Sequence, residues 1–163
     1  MKTHHAIFAA GCFWGVQFYF DQVPGVTETV VGYTGGHTEN PTYDEVCSHT
    51  TGHAEAVKVT FDPEKVTYKT LVRQFFHMHD PTQLNRQGPD VGDNYRSAIF
   101  YADDEQRQTA EVVRDEVQET AERPVVTEIT PEAPFYEAEP YHQKFSQRTG
   151  IGMCHIPYEP IKE

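Results

Sequence analysis

Residues 54–61 read AEAVKVTF, and their alternation decides the fold: Glu55, Val57, Val59 and Phe61 share one face of a strand, Ala54, Ala56, Lys58 and Thr60 the other. Before this strand, residues 5–10 form a short apolar strand, residues 14–22 a helix stopped by Pro24-Gly25, and residues 26–33 a second strand. After it, Thr67 caps a helix over 68–79 with Leu71, Val72, Phe75 and Phe76 as its stripe, and residues 97–102 form an apolar strand. The order is strand, helix, strand, a long loop, then strand, helix, strand. That is the split βαβ pattern of a ferredoxin-like α/β or α+β sandwich. Appended to it are a helix over 103–122, a strand over 125–130, a short helix near 137–147 and an irregular C-terminal tail. The long helix starts at Asp103 or Asp104, carries Ala110, Val113, Val117 and Ala121 on one face, and is closed by Pro124; its acidic residues read as a solvated face.

A chain of 163 residues with 37% hydrophobic content folds as one domain with a core of its own, without disulfides or metals. Acidic residues outnumber basic ones 25 to 13, for a net charge of −12, which disfavours nucleic acid and anionic membranes as partners. No stretch approaches the roughly 20 apolar residues of a membrane-spanning helix. The cysteines are three, Cys12, Cys47 and Cys154, with no Cys-x-x-Cys, so a static disulfide framework does not fit; thiols kept reduced in the cytoplasm do. The default assembly is a monomer.

The stretch AAGCFWG at 9–15 places the one tryptophan two residues after Cys12. Its reading is open between a lipoprotein cleavage box, a buried core thiol, a metal ligand and a nucleophile. The apolar run before the cysteine, from Ala6 to Gly11, is shorter than the apolar part of a leader, about 7–15 residues. At a strand-to-helix junction, the N–H groups and positive end of the helix lie against the sulfur and favour the thiolate. Phe13 and Trp14 then form an apolar wall for a small nonpolar group. The glycine spacing is not that of a hydrolase elbow. Glu55 lies in register with an apolar face, where desolvation keeps a carboxyl protonated and able to act as a general acid, unless it merely closes a strand end or pairs with an arginine. Tyr43, Asp90 and Tyr95 fall in two long glycine- and polar-rich loops, where sequence alone favours plain turn or surface residues over catalytic ones. A cysteine hydrolase would need one particular histidine near Cys12, and spacing singles out none of the nine. A metal module could draw on Cys47, His49 and His53, or on His77 and His79, but zinc sites favour tighter, paired spacings.

GCFWG at 11–15, GYTGG at 32–36, NPTYDEVC at 40–47, TGHAEAV at 51–57, DPTQLNRQGPDVGDNYRSAI at 80–99 and AEPYHQKF at 138–145 together resemble the A-type peptide-methionine sulfoxide reductases, across nearly the whole chain. The resemblance implies one catalytic domain over 1–163 with long active-site loops. It binds no cofactor and takes its electrons from thioredoxin. Cys12 attacks the sulfur of a methionine S-sulfoxide, free or in a protein, and becomes a sulfenic acid. Phe13 and Trp14 hold the substrate methyl group. Glu55 supplies a proton to the oxygen, and Tyr43, Tyr95 and Asp90 complete the hydrogen bonding around it. Cys154, in a tail over 148–163, is the resolving thiol, whereas Cys47 stays buried and inert. Departures from the family pattern are a single C-terminal cysteine where two are common, GPD for the frequent GND, and GDNYRS for the frequent GTQYRS, which puts an extra carboxylate, Asp93, on the second loop.

Overall fold

The computed structural model describes residues 4–88 and 90–149. Strand β1 is His4–Ala10, helix α1 Phe13–Asp21, β2 Val26–Thr34, α2 Tyr43–Cys47, β3 Ala54–Phe61 and α3 Tyr68–His77. Then follow β4 (Arg86–Gln87), β5 (Asp90–Val91), β6 (Ser97–Tyr101), α4 (Asp104–Thr120), β7 (Glu128–Pro131), β8 (Tyr136–Glu137) and α5 (Phe145–Thr149). A six-stranded sheet has the order β7-β6-β1-β3-β2-β8, and β4 pairs with β5 in a separate small hairpin. Strand β3 runs antiparallel to both β1 and β2, which makes β1 and β2 parallel, and β6 runs antiparallel to β1. The four inner strands therefore carry two interleaved βαβ units, β1–α1–β2 and β3–α3–β6, the ferredoxin-like arrangement expected from the sequence.

The alternation in β3 sorts the two faces as read. Val57, Val59 and Phe61 join Phe8, Val31 and Ile99 in one buried cluster with side chains of α1, α3 and α4, while Ala54 and Ala56 join Ile7, Ala9, Ala98 and Phe100 on the opposite face. Phe8, Phe20 and Phe75 stack in the larger cluster with centroid separations of 5.2 and 5.3 Å about Phe8. Each such ring contributes about 1.5–3 kcal/mol by leaving water. The caps also form as read: the Thr67 side chain accepts from Thr70 N–H, and Asp103, not Asp104, accepts from Gln106 N–H.

The second face is covered by the segment leading into β8. Gly32 lets this happen, because a Cβ there would meet the Phe135 ring at 2.6 Å and collide with the Tyr136 carbonyl. Here the sequence reading needs correcting, since no helix spans 137–147: the chain instead runs through β8, a single 3₁₀ turn over Pro140–His142, and α5. The Gln143 side chain explains the difference. It pairs with β2 in place of a strand, accepting from Val31 N–H at 3.0 Å and donating to Val31 C=O at 3.0 Å. Lys144 adds an ion pair to Asp21 at 2.8 Å, pinning the segment against α1. The strand read at 125–130 is also displaced, to Glu128–Pro131.

Candidate active site

Gly11 turns the chain out of β1 with φ of 98°, and Cys12 becomes the N-cap of α1, with no side-chain capping bond. The thiol thus sits at a helix start, as read. One expectation changes, however: the first N–H of the helix, that of Phe13, donates at 3.3 Å to Glu55 Oε1. Helix α1 therefore directs its positive end at the carboxyl as well as the thiol.

Glu55 lies opposite Tyr33 in the β2–β3 ladder and is 1% exposed. Its second oxygen, Oε2, accepts from Asn94 Nδ2 at 3.0 Å. Burial pushes its pKa up from an ordinary 4.5 to about 8; the two hydrogen bonds oppose that rise, and nearby Asp90 adds to it. Its partners are two N–H groups, so the bland reading of a carboxylate matched to an arginine does not describe it.

The two polar loops close over this pair. Tyr43 does not lie in irregular loop but begins α2, whose capping box joins Thr42 and Glu45 in both directions, at 2.9 and 3.2 Å. Tyr95 ends a 3₁₀ turn, Asp93–Tyr95, that follows the β4–β5 hairpin on which Asp90 sits. Burial raises the pKa of both tyrosine hydroxyls, and Glu55 adds to the rise once it is ionised, so both are donors at neutral pH. Tyr95 senses Glu55, Cys47 and Cys12 together.

Cys47 departs from its expected place. It ends α2 only half-buried, and its thiol is raised by burial, lowered in part by side-chain hydrogen bonds from Tyr43 and Tyr95, and raised by the charge of Glu55. A short helix facing the tyrosines turns what read as a core thiol into a neighbour of the site.

Phe13 is 1% exposed, ringed by Tyr33, Tyr43 and His142. Trp14 remains partly exposed, stacks on Phe145 at 4.0 Å and donates its indole N–H to His142 Nδ1 at 2.9 Å. Sequence reasoning singled out neither His142 nor Glu139, although both lie in the AEPYHQKF stretch. Glu139 accepts from the Tyr33 hydroxyl at 2.8 Å and from Tyr43 N–H at 3.0 Å; burial draws its pKa up, but these donors hold it below the usual carboxylate range. Asn94 was missed too. Cys154 lies outside the described residues.

Metal ligation does not suit His53 or His79, two of the histidines that the spacing offered. His53 accepts from Gly36 N–H through Nδ1 and holds Thr38 C=O through Nε2, while His79 spends both nitrogens on Phe75 C=O and Ser97 Oγ. Among the described residues no group of three or more His, Cys, Asp or Glu is placed to hold a metal ion.

Gly92 sets the second loop. Its φ is 147°, and a Cβ would run into the His49 ring and Asn94 Oδ1. Gly92→Ala is expected to cost about 1–3 kcal/mol and to slow the reaction by displacing Asn94 from Glu55. Thermal unfolding and single-turnover rates on the same sample check both effects.

The described geometry has counterparts in known proteins. A family model for peptide methionine sulfoxide reductase matches residues 4–163. A reductase of that name from Geobacter sulfurreducens is 56% identical over 151 residues, covering 91% of this chain and 93% of the relative. One from Methanothermobacter thermautotrophicus is 53% identical over 157 residues, covering 95% and 93%. Among solved structures, reduced Mxr1 from Saccharomyces cerevisiae superposes with a TM-score of 0.91 at 31% identity, covering 99% of this chain and 93% of that one. Mxr1 has also been solved in complex with Trx2. A match that runs through both βαβ units, the loops between them and the C-terminal segment supports one assignment: the chain belongs to the peptide methionine sulfoxide reductase family.

Proposed function

We propose that Cys12 is the nucleophile and Glu55 the general acid of methionine S-sulfoxide reduction by this chain. As a family member the chain is an oxidoreductase acting on methionine sulfoxide. The observation that carries the residue assignment is the 3.3 Å hydrogen bond from Phe13 N–H to Glu55 Oε1, which brings a buried carboxyl to the residue following the thiol.

The Cys12 thiolate attacks the sulfoxide sulfur, forming an S–S bond, while Glu55 gives its proton to the oxygen, which would otherwise have to leave as oxide; the S–S bond then breaks toward methionine as the hydroxyl passes to Cys12 Sγ. Sulfoxide and thiol become methionine and a sulfenic acid on Cys12. Tyr43 and Tyr95 turn their hydroxyls from Cys47 to donate to the oxygen, and Asp90 adds its negative charge to the burial that keeps Glu55 protonated. Phe13 and Trp14 receive the methyl group; the His142 hydrogen bond and the Phe145 stack hold the indole in place. Cys154, in the 148–163 tail of a single catalytic domain, then condenses with the sulfenic acid, releasing water and leaving a disulfide. A thioredoxin dithiol reduces that disulfide by exchange. The yeast relative's complex with Trx2 supports this donor. Among the described residues no helix is long and apolar enough to cross a membrane. We place the enzyme in the cytoplasm, where such a donor keeps working thiols reduced.

Incubating reduced protein with excess methyl sulfoxide and no reductant tests the reading. Two thiols per chain are expected to disappear, with a Cys12–Cys154 link in the peptide map. Untouched thiols with hydrolysis of an ester substrate would return Cys12 to the hydrolase reading.

Glu55 also makes stability depend on pH. Below about pH 4.5 folded and unfolded chains both hold its proton; between there and about 8 only the folded chain does. Stability therefore falls as pH rises through that window, by up to about 1.4 kcal/mol per pH unit, and levels off above it. Glu55→Gln removes this dependence. The variant's melting temperature is expected to rise relative to the parent's from pH 5 to pH 9.

A further inference from the structure

We propose that Asn94 is a positioning residue for the reaction, holding the Glu55 carboxyl in line and stabilising it as its proton leaves. The inference rests on the reading of Glu55 as the acid. Asn94 is 0% exposed, at the middle of the 3₁₀ turn, and its amide N–H reaches Glu55 Oε2 at 3.0 Å, while Phe13 N–H holds Oε1 at 3.3 Å. The carboxyl is thus fixed at both oxygens, and rotation that would turn its proton away from the substrate breaks a bond.

A second observation points the same way. Asn94 Oδ1 is buried without a hydrogen-bond partner. A buried amide that uses only its donor is costly for folding, and a leucine of similar size would avoid that cost. What the asparagine supplies in exchange is its amide N–H, on Glu55 and toward the Tyr95 hydroxyl. Hydrogen bonds from N–H groups strengthen as an acceptor gains negative charge, so this one favours the state in which the proton has moved to the substrate oxygen.

The other titratable groups around Glu55 do not do this. Asp90 from β5 repels the developing charge. Tyr33 from β2, Tyr43 and Cys47 from α2, and Tyr95 from the 3₁₀ turn all sense Glu55 electrostatically, with Cys12 beside it at the start of α1. Asn94 and the Phe13 backbone are the hydrogen-bond donors to its carboxyl among the described residues.

The test is the single-turnover rate against pH for the parent, Asn94→Leu, Asn94→Gln and Glu55→Gln, with a small methyl sulfoxide as substrate. The parent loses rate on the alkaline side as Glu55 ionises, and Glu55→Gln lacks that limb. Asn94→Leu is expected to lower the plateau about tenfold and to move the limb up by roughly one pH unit, because a carboxyl without the N–H is a weaker acid. Asn94→Gln, which keeps an amide, should recover both in part. Should the leucine variant not fold, Asn94→Ala, which also removes the N–H without adding charge, reads the same limb, again shifted upward. A lowered rate with an unmoved limb in every Asn94 variant would show a structural role only and overturn the proposal. Persistence of the limb in Glu55→Gln overturns the acid assignment itself, and the proposal with it.

Discussion

Cys12→Ser is expected to lower sulfoxide reduction on the order of 10⁴-fold or more, whatever reductant is supplied. Loss of a covalent nucleophile is not recovered by the groups around it, which act only with it. The serine hydroxyl keeps the size and the helix-start position but offers no thiolate. The neighbouring groups do not replace it, since burial holds the Tyr43 and Tyr95 hydroxyls protonated and pushes the Cys47 thiol above its ordinary range. Cys154→Ser separates the steps of the cycle. It should still form about one methionine per enzyme, because the attack on sulfur needs no second thiol, and then stop with thioredoxin as donor. Full multiple turnover of Cys154→Ser with thioredoxin would remove Cys154 from the resolving role. In that event the half-buried Cys47, hydrogen-bonded by both tyrosines, becomes the thiol to map.

Glu55→Gln should slow the chemical step by about 10²–10⁴-fold, the usual contribution of a placed general acid, with a smaller effect on substrate affinity. The amide fits the same space, and Asn94 can turn its unpartnered Oδ1 to meet the new NH₂. What is lost is the acidic proton. At neutral pH the parent carries that proton, because burial lifts Glu55 to about 8. Its chemical step should weaken as pH rises past that value, and the variant's should not. Rapid-quench measurement of methionine formed in the first turnover isolates this step. An unchanged first-turnover rate in Glu55→Gln would end the general-acid assignment.

Much of this was legible in the sequence because it depends on short-range pattern. The alternation of AEAVKVTF put Glu55 on the face of Val57 and Val59, and the strand-to-helix junction put Cys12 at a helix start; the ladder and the α1 cap agree with both. The capping box of α2 was present as Thr-Tyr-Asp-Glu at 42–45, a signal passed over amid glycines and polar residues. Other features rest on contacts that no local pattern announces. Asn94 meets Glu55 from 39 residues away. His142 reaches the Trp14 indole across 128, and Gln143 completes the edge of β2 across 112. A helix over 137–147 fails for the same reason: Gln143 ties the segment to β2 and Lys144 ties it to α1, and those partners outweigh its own propensity.

The most direct test of the account is the state of Cys12 after one turnover. Cys154→Ser protein, treated with excess methyl sulfoxide and no reductant, is quenched with a reagent that traps sulfenic acids, digested and mapped by mass spectrometry. One methionine per enzyme and the trapped sulfenic acid on the peptide holding Cys12 are expected. Methionine formed in that amount with Cys12 still a thiol, and the oxidation on another residue, would contradict it.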